Sequence, residues 1–166
     1  NTSMAAAGGV LAPMILSRLM YGKTDIGATL NGAIAGLVSI TAEPLTPSIG
    51  QAIIIGGIGG VICMFGMKLL DKLKIDDVVG AIPAHLFAGI WGTLVVPFTN
   101  GDTSYVTQII GILAFGIFTV IGSTIVWFVL KSTVGIRATE DDEEYGLDYT
   151  ESGQAGLESV SYTHLR

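Results

Sequence analysis

Apolar residues in this chain gather into five stretches: Asn1 to Leu16, Gly27 to Ala42, Ile49 to Met67, Val78 to Phe98 and Val106 to Leu130. A helix needs roughly 20 such residues to cross a bilayer, so the pattern predicts five transmembrane helices, at about 1–20, 27–42, 49–70, 78–98 and 106–135. The second is short for a span and the fifth long, differences that tilt or burial within a bundle absorbs. The connections Tyr21 to Asp25, Glu43 to Ser48, Lys68 to Asp77 and Thr99 to Ser104 are short and carry turn residues. Neighbouring helices should therefore run antiparallel.

Basic residues mark the orientation. Arg18 and Lys23 follow the first stretch, Lys68, Lys72 and Lys74 the third, and Lys131 and Arg137 the fifth, whereas the other two connections hold no Lys or Arg. Cytoplasmic loops retain such charges, so the segment after the fifth helix is expected in the cytoplasm and Asn1 outside. Composition agrees with a chain that lives in lipid: half the residues are hydrophobic, 13% are charged and the mean hydropathy is +0.65. Soluble domains carry about 25% charged residues. The net charge of −6 comes largely from the run Glu140 to Glu144, which reads either as a solvated spacer leaving the membrane or as a docking patch. Cys63, the single cysteine, lies inside an apolar helix and reads as a small buried hydrophobe, with a redox or metal role as the alternative.

One titratable ring interrupts this pattern. His85 sits in the middle of VVGAIPAHLFAGIWGTLVVPF, a run otherwise free of charge. An imidazole at that depth is costly, and its default reading is functional; the alternative is a core histidine satisfied by a neighbouring carbonyl. Ala81 and Gly89 lie four residues to either side, which on an α-helix lines one face with small residues above and below the ring. A narrow lumen would be lined that way. Leu86, Phe87, Ile90 and Trp91 occupy the other faces, suited to helix contacts or lipid. Pro83 either kinks this helix or stands in its first turn. Asp76 and Asp77 at the helix entrance suit caps for the first-turn amides, with attraction of substrate as the second reading. Gly32 and Gly36, like Gly56 and Gly60, are spaced for close backbone approach in lipid, with flexibility or carbonyl coordination of an ion as the alternative.

Several chemistries are excluded by what the motifs lack. Gly56-Gly57-Ile58-Gly59-Gly60 has no Lys-Ser/Thr pair after it, so it is no phosphate loop. One in-span histidine and one cysteine, with no carboxylate in their helices, cannot fill a zinc shell. No nucleophile elbow with a carboxylate orienter is present for a hydrolase. The chain is not expected to be an enzyme, to need a cofactor or metal, or to bind nucleic acid.

Three segments together resemble the ammonium transporters of the Amt/Mep/Rh type: Asn31-Gly32-Ala33-Ile34-Ala35-Gly36-Leu37-Val38-Ser39-Ile40-Thr41-Ala42; Ile75-Asp76-Asp77 followed by His85 and Gly89-Ile90-Trp91-Gly92; and the tail Gly146-Leu147-Asp148. The likeness extends from Asn1 to about Ser159. It implies an all-α polytopic membrane protein, a fragment of an eleven-helix bundle built from inverted repeats, with this chain supplying about helices seven to eleven over 1–137 and a cytoplasmic regulatory tail over 138–159. Transport of ammonium or ammonia, with methylammonium as analogue, follows from it, as does a homotrimer in the cell membrane. By the same resemblance His85 is the second of two paired pore histidines, with Ala81, Gly89 and Thr41 along the substrate path; the first histidine and the aromatic gate belong upstream. An apolar lumen disfavours the charged form of ammonium, so the ion should shed its proton there while an imidazole pair offers a hydrogen-bonded route.

In the tail, Gly135, Arg137, Gly146, Leu147 and Asp148 match the family's regulatory pattern, which in many bacteria cooperates with a PII-type signalling protein. Ser152-Gly153-Gln154 stands where His-Gly-Glu is common, and Gly156-Leu157 where Ala-Tyr is common. These departures bear on PII binding more than on the tail's packing. Two other functions compete: an ammonium sensor, in which the same pore is coupled to a signalling domain, and a non-conducting trimer subunit. The chain opens at Asn1 already inside an apolar stretch, as a fragment would, and 160–166 resemble one translated frame of a sequencing adapter, so His164 is set aside.

Overall fold

The structure, a computed structural model, describes residues 1–153. Gln154, Gly156, Leu157 and the adapter-like stretch 160–166 lie outside the described residues. The chain divides into two units, Asn1–Gly116 and Ile117–Arg166. Every regular element is a helix among the described residues: α1 (Thr2–Tyr21), α2 (Ile26–Ile40), α3 (Ile49–Leu73), a π-helical turn (Ile82–Phe87), α4 (Ala88–Thr99), α5 (Tyr105–Thr133), α6 (Glu140–Tyr145) and α7 (Leu147–Ser152).

Local chemistry explains where the helices start and stop. Helix α1 ends at Gly22, whose φ of 72° lets its N–H turn back to the Arg18 carbonyl at 2.9 Å. Helix α2 starts under Asp25, whose carboxylate accepts from Ala28 N–H at 2.9 Å. Ser48 and Gln51 form a reciprocal capping box at the start of α3. Among the described residues, four helices are long and apolar enough to cross a membrane: Thr2–Tyr21, Ile49–Leu73, Ile82–Thr99 (with the π-helical turn as its first part) and Tyr105–Thr133. At 15 residues, Ile26–Ile40 rises only about 22 Å.

The fourth helix differs from its expected bounds. The apolar pattern starts it at Val78, yet Val78 and Val79 form an exposed turn and regular winding begins only at Ala81. Gly80 is the reason: its φ of +73° lies outside helical space. Pro83 therefore falls in the first turn, where its missing N–H costs nothing, and it does not kink an established helix.

In the first unit, α1, α2 and α3 pack against one another, and the π-helical turn and α4 lie on α2 and α3. Small residues make this possible. Ala5, Ala35, Ala52, Cys63, Ala84 and Ala88 are fully buried, and few bulky side chains join them. Backbones meet directly at glycine: a methyl on either Gly36 of α2 or Gly56 of α3 would collide with the Ala5 carbonyl of α1. In lipid such close approach replaces the hydrophobic effect as the source of helix affinity.

Contacts at the helix ends show alternating directions. At one end the Asn1 amide donates to the carbonyls of Pro44, at 3.0 Å, and Pro47, at 2.5 Å, while the Asn100 amide donates to Glu43 at 3.1 Å. At the other end Lys68 of α3 donates to the Tyr21 hydroxyl of α1 and lies 3.7 Å from its ring centroid. Arg18, Lys23, Lys72 and Lys74 belong to the Lys68 end by their places in the sequence.

Helix α5 crosses the boundary between the units and buries none of its residues. In the second unit, Gly135, at φ +84°, closes α5 by donating to the Leu130 carbonyl at 3.0 Å. Thr139 and Asp142 form a capping box for α6, and Arg137 pairs with Glu143 at 3.1 Å. Both partners of that pair are largely exposed, so it is worth about 0.5 kcal/mol or less.

Candidate functional site

His85 lies in the π-helical turn, and its side chain is exposed, as is Ala81 below it. The turn is anchored from beneath by Asp77. Its Oδ1 accepts from Ala81 N–H and its Oδ2 from Ile82 N–H, each at 2.8 Å, so one carboxylate satisfies two otherwise orphaned amides. Asp76 is exposed and accepts none of the hydrogen bonds among the described residues. Of the adjacent pair, only the second carries the cap. Gly80 brings the chain close to α2 and α3, where a Cβ would stand 3.2 Å from both the Asn31 amide nitrogen and the Met67 sulfur.

Wide winding over Ile82–Phe87 changes the helix that the sequence pattern described. At its upper end Ala88 N–H reaches both the Pro83 carbonyl, five residues back, and the His85 carbonyl, three back. Such single π-turns place an extra residue in one turn, shifting every later side chain around the axis. Gly89 is only half-exposed, and a Cβ there would touch Val38 of α2 at 3.7 Å. Ala81 and His85 thus share the open face, whereas Gly89 stands at its edge beside α2. Leu86 joins that open face at 53% exposure, so the face is less uniformly small than the four-residue spacing implies.

Thr41 caps the C-terminal end of α2 and is exposed. Its hydroxyl donates to the Leu37 carbonyl at 2.7 Å, and no hydrogen bond among the described residues links it with His85. The tail positions belong to the second unit. Gly135 and Gly146 hold positive φ, Arg137 reaches Glu143, Leu147 opens α7 at 45% exposure, and Asp148 follows in the α7 backbone.

Other features escape a reading by pattern alone. An apolar groove of about 630 Å³ runs between α3 and α4, lined by Gln51, Ile54, Ile58, Trp91, Leu94 and Phe98 among others, and it does not include His85. Trp91 is turned inward by its indole N–H, which donates to the Ile55 carbonyl at 3.0 Å. Glu43 ties two loops together: one oxygen accepts from Leu45 and Thr46 N–H, the other from Asn100. The Leu45 amide and then the Asn100 amide hold its carboxyl below its ordinary value. Gly66 faces Pro83 and Phe87 across the α3 contact. A lone glycine between Phe65 and Met67 gives no spacing signal by which the sequence could single it out. No group of three or more metal-ligating side chains is brought together among the described residues.

The chain is similar to known proteins along nearly its whole length. The sequence model of the Ammonium Transporter Family matches residues 1–157. Among curated relatives, ammonium transporter Amt2 of Archaeoglobus fulgidus is 38% identical over 91% of this chain and 36% of its own length. The ammonium transporter of Bacillus subtilis is 33% identical over 93% of the chain and 42% of its own length. A solved structure described as a sensor Amt protein superposes with a TM-score of 0.77 at 29% identity, over 92% of this chain and 40% of that one. The chain therefore spans well under half the length of the relatives it matches. An all-helical, multi-pass membrane chain that aligns along nearly its whole length with these proteins belongs to the ammonium transporter family.

Proposed function

We propose that the protein containing this chain conducts ammonium or ammonia across the cell membrane, and that His85 is the pore imidazole this segment contributes. The observation that carries the reading is His85 itself, an exposed ring on an otherwise apolar spanning helix, in a chain the family model covers over residues 1–157. Its role is to exchange hydrogen bonds with substrate shorn of water, alongside a second histidine from upstream. Ala81, Gly89 and Thr41 line the path in this reading. Five crossings, with α2 as the shortest, put the Lys68 end and the tail in the cytoplasm and the Glu43 end outside, in line with the distribution of Lys and Arg. The assembly is a homotrimer whose tail, through Gly135, Arg137, Gly146, Leu147 and Asp148, packs beneath the pores. Regulation by a PII-type protein is a weaker part of the reading, given Ser152-Gly153-Gln154 in the tail.

The test is transport by the full-length protein in proteoliposomes. His85→Ala should abolish or strongly reduce methylammonium uptake and change any accompanying current. Unchanged uptake and current at equal protein amounts would refute the role of His85. A sensory version of the same pore is the second reading, favoured by the superposition on a structure described as a sensor Amt protein. Reading the gene beyond Ser159 separates the two: a signalling domain there supports sensing, and a stop codon supports transport alone.

A further inference from the structure

Gly66 is buried on α3 opposite the turn that carries His85. A Cβ there would stand 2.7 Å from Phe87 Cδ2 and 2.8 Å from Pro83 Cβ. Carbon atoms in contact prefer about 3.5–4.0 Å, so only hydrogen fits this notch. The Phe87 ring can yield by rotation about its χ angles. Pro83 has none, because its Cβ belongs to a ring closed onto the backbone. A methyl group at position 66 must move the helix itself.

The residues seated at the notch are two before and two after His85. Two residues are roughly half a turn of helix, so seating Pro83 and Phe87 against α3 turns His85 to the opposite side. Exposure follows that alternation: Pro83 is buried, Phe87 half-buried and His85 exposed. The base of the segment is fixed separately by the Asp77 cap and the Gly80 approach to Asn31 and Met67. Above that base, rotation is held by the contact at Gly66 together with the buried Ala84 and Ala88, which pack with Ala35 and Cys63.

We propose that Gly66 is a positioning residue for His85: the absence of a side chain there lets Pro83 and Phe87 seat against α3, and that seating directs the imidazole. The consequence for transport rests on the pore reading of His85; the consequence for orientation does not. Relieving the Pro83 contact requires a displacement of roughly 1 Å. Misplacement on that scale costs about a hundredfold in rate at a site that depends on alignment.

Two readouts on the full-length protein test the idea. In proteoliposomes, Gly66→Ala should lower methylammonium uptake about a hundredfold. Gly57→Ala, on the same helix but with its nearest neighbour at 3.6 Å, should leave it unchanged. In a cysteine-free background that includes Cys63→Ala, His85→Cys reports orientation directly through its rate of labelling by a charged methanethiosulfonate. Adding Gly66→Ala should change that rate at least severalfold, and adding Gly57→Ala should not. If Gly66→Ala fails to reach the membrane, Phe87→Ala takes its place, since it removes the ring that seats at the notch without adding a clash and should also change the labelling rate. Wild-type labelling in the accumulated Gly66→Ala protein, or in Phe87→Ala where Gly66→Ala is lost, overturns the proposal. Should His85→Ala transport normally, the pore reading falls while the labelling result still decides the orientation.

Discussion

Replacing Gly56 by Ala tests whether backbone contact through glycine holds the first three helices together. The added methyl would lie 2.5 Å from the Ala5 carbonyl carbon and 2.6 Å from Ala5 Cα, with the carbonyl oxygen closer still. All three are backbone atoms of α1, so no rotamer change relieves them. Restoring ordinary carbon–carbon contact needs α1 and α3 to part by about 1 Å, and a gap of that size forfeits up to half of each dispersion contact across the seam. The loss extends along the helices, because Gly8 meets the Ile53 carbonyl and Gly60 meets the Gly9 carbonyl on the same seam. Overpacking typically costs about 1–3 kcal/mol, and a clash of backbone on backbone belongs near the upper end, at about 3 kcal/mol. Gly57→Ala is the matched control: its methyl would meet Ala12 Cβ at 3.6 Å, an ordinary contact, and helix propensity gains up to about 1 kcal/mol. The assay is thermal or denaturant unfolding of the detergent-solubilised full-length protein. Equal stability of Gly56→Ala and wild type, or equal loss in both variants, refutes the packing argument.

Two further outcomes follow from single carboxylates. Asp77→Ala leaves Ala81 and Ile82 N–H without their acceptor, which should cost about 1–2 kcal/mol in the same unfolding assay, with Asp77→Asn intermediate. Glu43 titrates below the 4.5 of a free glutamate, because the Leu45 and Asn100 donors favour its charged form. Its stabilising effect is complete above that ordinary value and disappears as the pH falls through the lowered one. Unfolding midpoints of wild type and Glu43→Gln, measured from pH 7 down to the acid limit of the protein, should converge below pH 4.5. A constant difference through that range counts against the tie between Glu43 and Asn100.

Lipid makes some of this structure legible and hides the rest. The spanning helices can be read because lipid demands uninterrupted apolar residues, and no alternation is needed to find them. The start of the fourth helix cannot, because Val78 and Val79 satisfy the apolar rule while sitting in a turn, 91% and 67% exposed. What decides the matter is the positive φ of Gly80, and hydropathy carries no trace of it. The Glu43–Asn100 tie joins loops 57 residues apart, each of which reads as an ordinary turn.

The winding around His85 is hidden for a related reason. In water, an amphipathic pattern would fix which face of a helix looks inward. A helix apolar on every side has no such compass, so the depth of His85 is readable from Val78 to Phe98 while its direction is not. The four-residue spacing of Ala81, His85 and Gly89 assumes α-winding, and the π-turn breaks that assumption by bringing Gly89 against Val38. Where no polar face orients a helix, steric notches must, and those notches are glycines. The glycines of α3 therefore differ in what they touch: Gly56 and Gly60 meet the backbone of α1, while Gly66 receives Pro83 and Phe87 of the π-helical turn, the contact proposed to direct His85. Closeness and rotation are separable quantities. A variant that keeps the bundle stable yet redirects His85 would separate them experimentally.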